Sequence, residues 1–244
     1  MNAIDFKGNK VERLNGKSSF CINSGDGLGF IIAINLARLG AEVTIHDNSP
    51  AVVLAAVERL QLAVPGSAVK GVAGDPSTDQ GLQSLLDRVG STDILICDTL
   101  GAGAVSFTEA PSEPQSKHLI SIHDNVDRLF EGVVRRMPQR DWGRAFWLST
   151  ANAPDHLAGG SVNPLLASTD SISAARAGMS IYSILVPSPI LSPVSDVMKS
   201  EVLRTQNTFD LIVEQFEKDR RPIEIREAAK AILTIIQRIN SVCI

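Results

Sequence analysis

Apolar positions in this chain of 244 residues follow two alternating rhythms. Short apolar runs bounded by turn residues read as buried strands near 18–23, 42–47, 67–73, 92–98, 144–149 and 179–186. Between and after them, apolar residues recur at helical spacing, predicting helices near 28–39, 50–62, 78–89, 115–137, 161–177, 196–218 and 223–239. Such alternation predicts an α/β fold: a doubly wound parallel sheet of six strands with helices on both faces. Gly40 reads as the stop of the first helix. Ser49-Pro50 reads as an N-cap followed by a first-turn proline, and Ser77-x-x-Gln80 has capping-box spacing. In the helix near 115–137, Leu119, Ile122, Val126, Leu129, Val133 and Met137 form an apolar stripe with Phe130 and Val134 beside it. Asp124, Asp127, Arg128, Glu131, Arg135 and Arg136 are expected on the opposite face. The stripe suits packing on the sheet, and part of that surface also suits a partner subunit. With no repeat, low-complexity stretch or long linker, residues 1–244 read as a single domain.

Composition narrows the function classes. Hydrophobic residues make up 44% and charged residues 20%, ordinary for a globular protein. The net charge is −4 and no basic stripe stands out, which argues against nucleic-acid binding. No apolar run reaches the roughly 18 residues of a membrane span. The polar, charged stretch 1–15 does not read as a secretory leader. Cys21, Cys97 and Cys243 make no disulfide framework, and the first two fall in buried strands as reduced core residues. A cytoplasmic location is the expectation.

The most informative segment is Phe20-Cys21-Ile22-Asn23-Ser24-Gly25-Asp26-Gly27-Leu28-Gly29-Phe30. A strand runs into a glycine-rich turn and then into a helix, with a second strand ending at Asp47. Glycines at such a turn let the backbone approach a pyrophosphate, which the free N–H groups of the helix N-terminus stabilise.

This order, followed by Gly74-Asp75, Asp93-Ile94-Leu95-Ile96, Trp142-Gly143-Arg144 and Val186-Pro187-Ser188-Pro189, resembles the short-chain dehydrogenase/reductase family over about residues 16–238. The resemblance implies a Rossmann-like fold and NAD as cofactor. It also implies cofactor-binding roles for Asn23, Gly25, Gly27, Leu28, Gly29, Asp47 and Asp75. The family's turn is Thr-Gly-x-x-x-Gly-x-Gly. Here Gly27 and Gly29 keep the last two glycines while Asn23, which tolerates positive φ, stands for the first. Asp26 sets a carboxylate where a pyrophosphate would lie. Asp47 matches the acidic residue that binds the adenosine ribose, and equally suits a polar strand end leading into the Ser49 cap. Asp75 matches the position beside the adenine, and equally suits a turn before Pro76.

The catalytic half departs from the family. Its Asn-Asn-Ala-Gly is replaced by Cys97-Asp98-Thr99-Leu100-Gly101, and its helix asparagine aligns near Ile122. Ser149-Thr150 stand where the family has its serine, so Ser149 is the catalytic candidate. The family's Tyr-x-x-x-Lys supplies the acid/base and the lysine that tunes it. Asn163 and Ala167 occupy those slots, and the lone tyrosine, Tyr182, falls in the sixth predicted strand. The stretch from Thr150 to Pro187 reads as several residues short of the family's, and the sheet is expected to end on its sixth strand, without the family's seventh. Ser173-Ala174-Ala175-Arg176-Ala177-Gly178 resembles the arginine segment of halohydrin dehalogenases, but Ile172 fills their tyrosine slot.

Other chemistry finds little support. His46, His118, His123 and His156 show no metal-ligand spacing, and no phosphate loop or nucleophile elbow occurs. Three readings stand. One is a non-catalytic subunit (a pseudoenzyme) pairing as a hetero-oligomer with an active homologue, resembling the paired subunits that oxidise a hydroxyacyl-CoA in anaerobic aromatic degradation. The second is an active NAD-dependent oxidoreductase with an unorthodox relay. The third is a non-redox lyase or isomerase using Asp98, Ser149, Asp155 and His156.

Overall fold

The computed structural model describes residues 13–99, 113–137, 142–150 and 179–186, without the side chains of 113–124, 149–150, 180 and 182–186. The order is β1 Ser18–Ile22, α1 Gly27–Arg38, β2 Glu42–Asp47, α2 Pro50–Ala63, β3 Val69–Ala73, α3 Asp79–Val89, β4 Ile94–Asp98, α4 Glu113–Arg136, β5 Gly143–Thr150 and β6 Met179–Val186. All pairings are parallel, in the order β3-β2-β1-β4-β5-β6. The chain winds outward from β1 in one direction and from β4 in the other. This reversal opens a crevice at the carboxyl ends of β1 and β4, where Ile22 is in register with Cys97.

Strands buried on both faces need apolar side chains at every position, which explains their continuous runs. Alternate residues feed two cores. Cys21, Val43, Ile45, Ile94, Ile96, Phe146 and Leu148 pack under α1 and α2. Phe20, Ile22, Val72, Leu95, Cys97, Ala145 and Trp147 pack under α3 and α4. Trp147 meets Phe130 of α4 edge to face at 5.4 Å.

Local chemistry sets the boundaries. The Gly40 N–H donates to Ala37 and the Ala41 N–H to Leu36, the paired Schellman bonds expected at this stop. Ser49 caps α2 by accepting from the Val52 N–H, with Pro50 at the first helical position. The α3 cap falls one residue later than the Ser77 spacing predicts. Thr78 Oγ1 accepts from the Gly81 N–H at 3.0 Å, while Ser77 donates its own N–H to Asp75. Strand β4 likewise starts at 94 rather than 92. The Asp93 N–H still donates to Ser18 O, while the Asp93 carboxylate accepts from the Ser18 N–H and Thr92 Oγ1 donates to Ser18 O, so side chains supplement the backbone bonds there.

In α4, Val126, Leu129, Phe130, Val133, Val134 and Met137 are buried, as the stripe requires. Arg128 pairs with Asp79 and Arg136 with Asp87, tying α4 to α3. Asp127 departs from the expected solvent face. It is half-buried, and its charge helps raise the Cys97 thiol pKa, so it lies toward the sheet. Cys21 and Cys97 are buried free thiols. Among the described residues, no helix is long and apolar enough to cross a membrane. The helices expected at 161–177, 196–218 and 223–239, the question of a seventh strand, Cys243 and the side chains of Leu119, Ile122 and Asp124 lie outside the described residues.

Candidate functional site

The β1–α1 turn is built by two left-handed residues. Asn23 has φ of 52° and Gly27 has φ of 67°, so asparagine does keep the turn where the family has glycine. The Ser24 N–H donates to His46 O, and Ser24 Oγ donates to Ile22 O at 3.0 Å. Gly25 packs against Val52 and Asp47, where a Cβ would fall 2.9 Å from Asp47 Oδ2. Leu28 is buried in the core beneath the turn.

His46 is the hub of this corner, a role its sequence spacing does not reveal. It is fully buried near the end of β2, and Phe20 meets it edge to face at 5.9 Å. Nδ1 accepts from the Asn23 N–H at 3.4 Å, so Nε2 carries the proton and donates to Gly74 O at 3.0 Å. One neutral imidazole therefore fastens the β1–α1 turn to the end of β3. Its pKa lies below the usual 6.5, foremost because burial disfavours the charged ring. The signal available in sequence was a polar ring inside an apolar strand, which must find partners once buried.

Asp47 ends β2 beside the turn. Its Oδ1 accepts from the Ser49 N–H at 3.1 Å and its carbonyl accepts from the Gly74 N–H. Asp75 is exposed and its Oδ1 closes a local turn by accepting from the Ser77 N–H. The structure thus brings Asn23, Gly25, Gly27, Leu28, Gly29 and Asp47 to one corner. Asp75 follows Gly74 at its rim, already engaged as a turn residue.

Two carboxylates shape the other side of the turn. Asp26 precedes α1, and its pKa is held below the usual range, foremost by the Gly27 N–H and then by Arg59. Arg59 of α2 reaches Asp26 at 3.3 Å and stacks on Phe30. The more consequential group is Asp98, at the end of β4. It is fully buried, and its Oδ2 accepts the Gly29 N–H at 2.6 Å. A Cβ on Gly29 would fall 2.3 Å from Ser24 Oγ and 2.9 Å from Asp98 Cβ, so glycine is needed for this approach. Asp98 is accordingly part of the α1 N-terminus rather than an open acid/base for a lyase.

The backbone sets Ser149 near the end of β5, in register with Leu185 and one residue beyond Leu148, the partner of Asp98. The side chains of Ser149, Thr150 and Tyr182 lie outside the described residues, as do Asp155, His156, Asn163, Ala167 and the segment 172–178. Asn125, three residues after Ile122 and so on the same side of α4, is half-buried. A cavity of about 290 Å³ lined by Ser18, Thr44, Lys70 and Thr92 opens at the amino ends of the strands, away from this corner. Among the described residues, no group of histidine, cysteine and acidic side chains is arranged to hold a metal.

No protein-family model matches the chain. It is 23% identical over 175 residues to the 5-keto-D-gluconate 5-reductase of Escherichia coli strain K12, covering 71% of this chain and 68% of that protein. Among solved structures, a hydroxysteroid dehydrogenase from Escherichia coli superposes with a TM-score of 0.64 at 21% identity, over 94% of this chain and 93% of that one. A chain assigned as a betaketoacyl-ACP reductase gives 0.65 at 18% identity, over 94% of each. These likenesses establish the fold, and the relatives' names agree with the resemblance to the short-chain dehydrogenase/reductase family.

Proposed function

We propose that this chain is a non-catalytic subunit of the short-chain dehydrogenase/reductase type, paired with an active homologue that carries NAD and the acid/base. The observation behind this reading is the position of its single tyrosine. Tyr182 lies within β6, in register with Phe146 midway along β5, and Val186 stands four residues on. The acid/base of such an enzyme must reach the substrate at the carboxyl ends of the strands. No other tyrosine exists to take that position, and no Tyr-x-x-x-Lys occurs in the sequence. Among the described residues, meanwhile, an apolar core packs on each face of the sheet. A scaffold can outlast its chemistry because stability asks only for the core.

The relatives named as a keto-sugar-acid reductase and a hydroxysteroid dehydrogenase share alcohol–carbonyl interconversion. That supports the same chemistry for the partner, and a hydroxyacyl-CoA formed in the breakdown of aromatic compounds is our choice of substrate. The test is to purify the chain from its native source with what accompanies it, and also alone. We expect a homologue bearing Tyr-x-x-x-Lys in the complex, NAD-dependent turnover by the complex, and none by the isolated chain. Asp47→Ala should leave assembly and the activity of the complex nearly unchanged. Turnover by the isolated chain, or a large activity loss in an assembled Asp47→Ala complex, overturns the reading.

A further inference from the structure

We infer that the α1 N-terminus is neutralised from within by Asp98, so that in this chain the turn shaped for a pyrophosphate does not accept one. The first N–H groups of a helix have no partner inside it and attract negative charge. In α1 these groups belong to Gly27, Leu28 and Gly29, since the Phe30 N–H already donates to Asp26 O. The Gly29 N–H is taken by the Asp98 carboxylate at 2.6 Å, within the range of a charge-assisted bond. The Gly27 N–H acts on the Asp26 carboxylate. A diphosphate arriving here meets the Asp98 carboxylate already holding one of the three donors and the Asp26 carboxylate beside another.

The plug is built in rather than loosely placed. Asp98 is fully buried, and its strand is locked on both sides by the β1 and β5 ladders. The next residue, Thr99, donates both its N–H and its Oγ1 proton to Leu148 O. Asp98 also acts electrostatically on its surroundings, contributing to the raised pKa of both Cys21 and Cys97. The dinucleotide does not fit the pyrophosphate side of this turn, even though the Asp47 side keeps its place. This inference is independent of the subunit reading. A chain that binds no nucleotide yet acts alone as a lyase would refute that reading and leave this one standing.

The experiment is calorimetry with NADH and with inorganic pyrophosphate, on the wild-type chain and on Asp98→Asn. The amide keeps an acceptor for the Gly29 N–H and removes the charge. Two unit charges a few ångströms apart at a protein surface repel enough to change affinity on the order of a hundredfold. We expect no heat from the wild type with either probe, and binding of both by Asp98→Asn, at least that much tighter. Micromolar binding of NADH by the wild type overturns the inference, as does a folded Asp98→Asn that binds neither probe. The wild-type arm decides the matter even where the variant does not fold: silence with both probes supports the internal plug, and binding refutes it.

Discussion

Acidification should weaken this protein through one residue, His46. In the folded chain its imidazole is buried and neutral, with Nδ1 accepting from Asn23 and Nε2 donating to Gly74. Protonating Nδ1 would turn an acceptor against an N–H donor and place a charge in the core. Burial is the leading cause of its lowered pKa, and Arg88 adds to it, while Asp47, Asp75 and the Gly74 carbonyl pull the other way. A base whose pKa is lower in the folded state leaves the unfolded state binding more protons. Stability is then full above the unfolded value of 6.5 and declines as pH falls below it. The decline runs at up to about 1.4 kcal/mol per pH unit until the folded pKa is reached, so its ceiling near pH 5 is about 2 kcal/mol. The assay is urea denaturation of the wild type and His46→Gln at about pH 7.5 and pH 5. Glutamine does not titrate, so the difference in acid sensitivity between the two proteins isolates His46, whatever the substitution itself costs. Equal losses in both proteins would refute the buried-hub argument.

Three further outcomes follow from the same geometry. Gly29→Ala sets a methyl group on Ser24 and Asp98 and should cost about 1–3 kcal/mol in urea denaturation; an unchanged midpoint would mean that the turn is looser than described. Thr78→Ala should cost about 1 kcal/mol through loss of the α3 cap, and Ser77→Ala nearly nothing; the reverse order of midpoints would restore Ser77 as the cap. Cys21, whose thiol burial pushes up to about 12, and Cys97, also raised, should react with a thiol reagent only after denaturation. Peptide mapping that finds either one labelled in the native protein would contradict its place in the core.

Hydrophobic rhythm made the fold legible, because helices and strands repeat with different periods and a buried parallel sheet demands apolar residues on both faces. The strands and helices of the first half emerge within a residue or two of their predicted bounds. What rhythm does not determine is which of two adjacent hydroxyls turns toward a helix end. Ser77 and Thr78 both had the chemistry, and backbone geometry chose Thr78. Nor does rhythm reliably place a charge near the margin of an amphipathic face. Asp127 lies one position from Val126 and inclines toward the sheet, which the helical pattern alone put in solvent.

The site was half legible for a related reason. Asn23, Gly27 and Gly29 act within one turn, and local sequence contains that turn. His46 works across 23 residues to Asn23 and 28 to Gly74, and Asp98 across 69 to Gly29. Their partners become visible only once the sheet order has set β2 between β1 and β3 and β4 beside β1. The sequence alone made Asp98 look like a lost motif and a spare acid. In the fold, the carboxylate sits against the helix end that a ligand's phosphate would otherwise occupy, buried where an unpaired charge could not be tolerated. The same change that removes the family's asparagine pair thus supplies the α1 N-terminus with an anion of its own. A chain arranged in this way holds its turn without a dinucleotide, as a subunit kept for its scaffold would need to do.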